Sequence, residues 1–175
     1  GDTDVDSHKG LPEIPHKRSH LEEVEFLPFK ENLSADAVMT GHLMMPALDT
    51  VYPASLSQAI VTDLLQKEWG FKGLVITDAL NMKALILNYS VEEIAVKALL
   101  AGHDLLLYGA HRYEDVEALL NDMIPKAYRA IAEAVEKGEI SEEFLDAHVL
   151  KVLQVKERLG LHKNRITPLR EDLME

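Results

Sequence analysis

The sequence predicts an α/β fold with a parallel sheet, and three observations predict it. Three short runs, "AVMTG" (Ala37 to Gly41), "GLVITDA" (Gly73 to Ala79) and "DLLLYG" (Asp104 to Gly109), are compact and nearly all apolar. Strands buried on both faces of a parallel sheet have that character. Longer stretches with helical spacing separate the three runs, and the order strand, helix, strand, helix, strand is that of βαβ units.

The chain opens on "GDTDVDSHKG", an acidic, loop-like stretch that places Asp2, Asp4 and Asp6 at alternate positions and ends on His8 and Gly10. The first run, Ala37 to Gly41, follows. Next comes "SLSQAIVTDLLQKEWG", whose apolar residues Ile60, Leu64, Leu65 and Trp69 predict one buried face. Ser55 and Gln58 have capping-box spacing at its start, and Gly70 suits its end. After the second run, "SVEEIAVKALLAG" repeats the device with Ser90, Glu93 and Gly102. Beyond the third run two helices are expected, "YEDVEALLNDMIPKAYRAIAEAVEKG" and "SEEFLDAHVLKVLQVKERLG". Ser141 is the N-cap of the second, with Glu142 and Glu143 in its first turn. Residues 162–175 are charged and aperiodic, so the division expected is a domain over 1–161 and a linker over 162–175. Three parallel strands leave two long edges, so the simplest account is a piece of a larger parallel α/β domain.

Composition narrows the function. The chain has 175 residues and is 47% hydrophobic, enough for one domain with a core. A formal net charge of −12 argues against a nucleic-acid surface, which needs clustered Lys and Arg. No apolar run reaches the roughly 20 residues that cross a bilayer, so no membrane partner is expected. The absence of cysteine excludes disulfides, thiolate metal sites and cysteine nucleophiles.

Two chemistries fit the opening stripe. Asp2, Asp4, Asp6 and Glu13 fall at positions 1, 3, 5 and 12 of a calcium-binding EF-hand loop. Against that, Ser7 stands where the loop needs glycine, no helix enters, and Pro12 sits where the exit helix belongs. The other reading is proton transfer: a carboxylate beside an imidazole fixes its tautomer and stabilises its cation. Asp78 is the second candidate. It comes directly after the strand residues Leu74 to Thr77, at the carboxyl end, where parallel α/β folds carry their chemistry. Capping the next helix is the competing role.

Together, "GDTDVDSHKGLPEI", "AVMTGHLMMPALD", "PASLSQAIVTDLLQKEWGFKGLVITDALNMKAL" and "AGHDLLL" resemble glycoside hydrolase family 3, in particular its bacterial β-N-acetylglucosaminidase (β-N-acetylhexosaminidase) branch. The resemblance covers about residues 1–160. It implies a partial (β/α)8 TIM barrel comprising the last three strands, and a retaining glycosidase acting through a covalent glycosyl-aspartate. Asp78 falls on the branch's nucleophile, His8 on its general acid/base, and Asp6 on the dyad partner of that histidine. The implied partner is an N-acetylglucosaminide, including muropeptide fragments of peptidoglycan, with no cofactor and no metal. Phosphate stays open beside water as the acceptor. The family's "KHFPGHG"-like segment and its sugar-holding residues have no match here, so the chain alone is expected to be inactive.

His42, at the end of the first strand, and Met82 are candidate substrate-binding residues. His42 has packing as an equal alternative, and Met82, with Met44 and Met45, also suits core or pocket wall. His103 and Asp104 precede the third strand at its amino end and are read as structural. Trp69 is expected to anchor its helix. A noncatalytic or self-associating barrel fragment is the alternative function, its exposed parallel edges seeking partners.

Overall fold

The computed structural model describes residues 3, 5–6, 9–109 and 113–163. Asp2, Asp4, Ser7 and His8, and the charged tail from residue 164 onward, lie outside them. The calcium reading, the His8 assignment and most of the expected linker therefore fall on residues the structure does not describe.

Two short helices, α1 (Arg18–Glu23) and α2 (Leu27–Lys30), lead into β1 (Ala37–Thr40). A crossover through a tight turn at Ala54–Leu56 and a helix over Ala59–Glu68 brings the chain to β2 (Leu74–Thr77). The two strands pair in parallel, with Ala37 opposite Leu74 and Thr40 opposite Thr77. Helices α3 (Lys83–Ile86) and α4 (Val91–Ala101) follow. After the third segment come α5 (Tyr113–Ala118), α6 (Ile124–Glu136) and α7 (Glu142–Arg158). The arrangement is that of part of a (β/α)8 barrel.

The third strand expected at Asp104 to Gly109 keeps its place beside β2 but not its ladder. Leu105 bridges Ile76 in parallel, Asp104 N–H donates to the Val75 carbonyl (2.8 Å), and Thr77 N–H donates to the Leu105 carbonyl (3.1 Å). There the regular pattern stops, because the Leu107 N–H goes to the Thr77 hydroxyl at 2.9 Å instead of to a backbone carbonyl. A side chain intercepts the donor that a second bridge would need. β2 is nearly all buried, as a central strand should be, whereas β1 alternates exposed and half-buried residues, and Met39 is 60% exposed. Among the described residues no strand pairs with the outer edge of β1.

The crossover helix starts later than its serine suggested. Ser55 lies in the Ala54–Leu56 turn, and Ser57 instead accepts the Ile60 N–H at 3.2 Å. The helix is wound with i→i+5 bonds. Its apolar residues Ile60, Leu64 and Trp69 recur at intervals of four and five, longer than the roughly 3.6-residue α repeat, so the wider winding keeps them on one face. Val61, Leu65, Phe71, Val75 and Ala101 close one core beneath it, and Trp69 bridges that core to a second built on Ile14, Leu21, Phe26 and Met45. Trp69 stacks edge-on against Phe26, ring centres 5.0 Å apart, which is the anchoring expected of it.

α4 carries the caps its sequence announced. Ser90 accepts the Glu93 N–H at 3.1 Å, and Gly102 ends the helix at φ 112°. Its Ile94 and Ala98 face the core with Leu56, Leu80 and Leu85, while Leu99 joins Ala134 and Ile140. The long helix before Gly138 is interrupted. Pro125 has no N–H to give Asn121, and the turn before it, Leu119–Met123, widens to i→i+5 bonding. α7 starts on Ser141, whose hydroxyl accepts the Phe144 N–H at 3.1 Å.

Candidate active site at the carboxyl end of the sheet

Asp78 follows Thr77 directly, so it stands off the carboxyl end of β2. Its backbone N–H donates to the Thr40 carbonyl (2.9 Å), continuing the β1–β2 pairing by one residue. Its carboxylate Oδ1 accepts the Ala79 N–H at 2.7 Å, and the side chain remains half-buried. The turn it heads is held at three points. The Ala79 carbonyl accepts from His42 Nε2 (3.0 Å) and from the Met82 N–H (3.0 Å). Asn81 clasps Gly109, donating from Nδ2 to its carbonyl (2.7 Å) and accepting its N–H (3.0 Å).

His42 is 1% exposed, and both its ring nitrogens are engaged. Nε2 meets a carbonyl, so it must carry the proton; Nδ1, 2.7 Å from Ser55 Oγ, then accepts the hydroxyl proton. Burial holds the pKa of His42 below the usual histidine range, against the raising effects of the Ala79 carbonyl and the Asp78 charge, so the ring is neutral near pH 7. Met82 is buried and caps α3. Ser55, taken from the sequence as a helix cap, is what orients His42. No local spacing signals that, since the two are 13 residues apart.

The Asp6 segment is tied to the same end of the sheet. Ile14 N–H donates to the Met44 carbonyl and Met44 N–H to the Pro12 carbonyl, both at 2.8 Å. Met44 lies four residues beyond Thr40, so this ladder fastens residues 12–14 past the carboxyl end of β1. Upstream, the Asp6 carbonyl accepts the N–H groups of Lys9 (2.8 Å) and Gly10 (3.1 Å). The Asp6 side chain is exposed.

His103 and Asp104 occupy the opposite, amino end of the third segment. His103 is fully buried between the Ala98 carbonyl (2.8 Å from Nδ1) and the Thr40 hydroxyl (2.8 Å from Nε2). Burial drives its pKa down to about 4. The Asp104 carboxylate, wholly buried, accepts from His148 Nδ1 (2.7 Å), Lys151 Nζ (2.7 Å) and the Val75 N–H (2.8 Å). Burial pushes its pKa up, but these donors outweigh it and hold it below the ordinary carboxylate range. Both residues serve the frame, as read from the sequence.

The sequence model of the glycosyl hydrolase family 3 N terminal domain matches residues 1–155. The chain belongs to glycosyl hydrolase family 3. Within that family it is 30% identical over 175 residues to the β-hexosaminidase A of Pseudoalteromonas piscicida, with 91% of the chain and 28% of that protein covered. It is 31% identical over 139 residues to the β-hexosaminidase of Chromobacterium violaceum, across 78% of the chain and 38% of that protein. The solved family 3 β-N-acetylglucosaminidase from Paenibacillus sp. str. FPU-7 superposes with a TM-score of 0.84 at 40% identity, over 98% of this chain and 31% of that one. This family 3 chain therefore spans about a third of the length of these relatives. Among its described residues no helix is long and apolar enough to cross a membrane.

Proposed function

We propose that this chain carries the reacting groups of a retaining β-N-acetylhexosaminidase that removes terminal N-acetylglucosamine, with muropeptide fragments of peptidoglycan as a substrate class. The observation that carries the reading is the fastening of the Asp6 segment, through Ile14 and Met44, off the same end of the sheet as Asp78. The names of the relatives supply the sugar.

In this mechanism a carboxylate oxygen of Asp78 attacks the anomeric carbon as the glycosidic C–O bond breaks. His8, protonated and steadied by Asp6, gives its proton to the departing oxygen. The same imidazole then takes a proton from water, the resulting hydroxide attacks the anomeric carbon, and Asp78 leaves as a carboxylate. His42 touches neither proton. It is a positioning residue, neutral and buried, that holds the Ala79 carbonyl and with it the direction of the Asp78 side chain. Met82, buried, closes the same turn through its backbone N–H.

The isolated chain is proposed to be inactive, because positioning of the sugar accounts for much of catalysis and the larger share of each relative lies outside the matched region. The test grafts residues 1–161 into the equivalent segment of the Paenibacillus enzyme. The chimera should hydrolyse an aryl N-acetylglucosaminide, and a slow fluoro-glycoside should leave its mass on the peptide containing Asp78. Asp78→Ala should lower kcat by at least about a thousandfold. A chimera whose activity survives Asp78→Ala would remove the assignment, and turnover by the isolated chain would remove its inactivity alone.

A further inference from the structure

A second cluster of chemically capable side chains, made of residues other than those assigned above, lies where α1 turns toward α2. His20 lies within α1, and His16 stands two residues before the helix begins, ahead of its extended N-cap Lys17. Their ring centres are 4.2 Å apart with planes tilted by 37°. After α1 the chain reverses, with Val24 N–H donating to the His20 carbonyl and Phe26 N–H to the Leu21 carbonyl. The reversal carries Glu25 back beneath the rings. Glu25 Oε1 stands 3.9 Å from His16 Nε2, and Glu25 Oε2 stands 3.6 Å from His20 Nε2.

Neither separation is a hydrogen bond. Glu25 Oε2 is nonetheless buried and accepts no hydrogen bond among the described residues, a costly arrangement for a carboxylate oxygen. The permanent cations nearby are engaged by other acids. Arg18 pairs with Glu22 (3.0 Å) and Glu68 (2.9 Å), and Lys30 pairs with Glu22. Glu25 also lines an apolar cavity of about 440 Å3 with Phe26, Ile14 and Trp69, none of which offers the carboxylate a counter-charge.

We propose that His16, His20 and Glu25 bind a divalent transition-metal ion, zinc foremost, with water completing the coordination. One ligand atom from each of the three lies within 4.8 Å of the others. Tetrahedral zinc, with bonds of about 2.0–2.2 Å, needs its ligand atoms roughly 3.3 Å apart, so small side-chain rotations close the site. Two imidazoles and one carboxylate select zinc, cobalt, nickel or copper over calcium and magnesium. The backbones of two ligands are already fixed, because Leu21 beside His20 and Phe26 beside Glu25 are both buried in one core. Bound metal joins α1 to the turn before α2 and supplies the charge that Glu25 Oε2 lacks.

The experiment titrates the chain with zinc chloride alone in chelator-free buffer, followed by calorimetry. One zinc per chain should bind, with the affinity weakened by about tenfold or more in His20→Ala and in Glu25→Gln. His8→Ala should leave it unchanged, which separates this site from the acidic opening stretch. Calcium should bind at least about tenfold more weakly than zinc, which separates coordination from attraction to a chain of net charge −12. X-ray absorption at the zinc edge of the unmodified chain should show two imidazoles, whatever the variants do to folding. Zinc binding that is undetectable at millimolar metal, unaffected by His20→Ala and Glu25→Gln, or matched by calcium would overturn the proposal.

Discussion

His42 donates its Nε2 proton to the Ala79 carbonyl, 37 residues away in sequence and one residue past the candidate nucleophile. Because the ring is buried and Ser55 closes its other side, the contact acts as a fixed strut under the Asp78 turn.

Removing the strut should cost stability. His42→Ala leaves the Ser55 hydroxyl without its buried partner, takes a donor from the Ala79 carbonyl and opens a void; a loss of about 3 kcal/mol is expected. Ser55→Ala removes only the orienting hydroxyl and should cost about 1 kcal/mol. Urea midpoints of the two variants check the order. In the chimera, His42→Gln should change kcat more than KM, because the buried side chain holds the Ala79 carbonyl next to Asp78.

His103 sets an acid sensitivity whose sign follows from its lowered pKa. Above about pH 6.5 the ring is neutral in folded and unfolded chains alike, and it has no effect on the pH dependence. Between 6.5 and about 4 the unfolded chain takes up a proton that the folded chain refuses. Stability therefore falls with pH across that window, by roughly 3 kcal/mol in total. His103→Gln should flatten the decline between pH 6.5 and 4. Asp104, with its pKa lowered below 3.8, adds a separate loss only under more acidic conditions. Unfolding curves at pH 7, 5 and 4 follow His103, and a further curve at about pH 2.5 reads Asp104.

Asp104 ties β2, the third segment and α7 through one buried carboxylate. Asp104→Ala should destabilise the chain by about 3 kcal/mol, since it leaves the Val75 N–H and the Lys151 ammonium without their acceptor. Lys151→Met should cost much less, because His148 and Val75 still satisfy the acid. Hydrogen exchange should show α7 loosening before α4 in the Asp104 variant. Uniform loss across both helices would contradict a local clamp.

Two helix-ending glycines should answer alanine differently. Gly102 adopts φ 112°, and a Cβ there would meet Thr62 Oγ1 at 2.5 Å. Gly138 adopts φ 74° with open space around it. Gly138→Ala should cost about 1 kcal/mol of backbone strain alone. Gly102→Ala should cost at least twice that, as Thr62 also loses its place against the Ala101 carbonyl (2.8 Å). Thermal melts of the pair suffice.

Much of this chain was legible without coordinates wherever the deciding interaction spans a few residues. Ser90 and Ser141 cap their helices because the N–H groups they accept lie three residues on, and Gly102 stops α4 because no Cβ stands in the way. The apolar runs at β1 and β2, the position of Asp78 after its strand, and the barrel family were equally readable, since alternation, spacing and ordered motifs are properties of the chain itself.

What the tertiary structure alone decided were the choices between competing partners far apart in sequence. Ser55 gave up the capping role its spacing advertised because His42 offered a buried acceptor, and the cap passed to Ser57. The third strand shrank to one bridge because Thr77 reached the Leu107 N–H first. Asp104 became a clamp only when α7 brought His148 and Lys151 across 44 and 47 residues. A polar group can satisfy few partners at once, and which one it takes depends on burial and distance in the folded chain, quantities that no local spacing records.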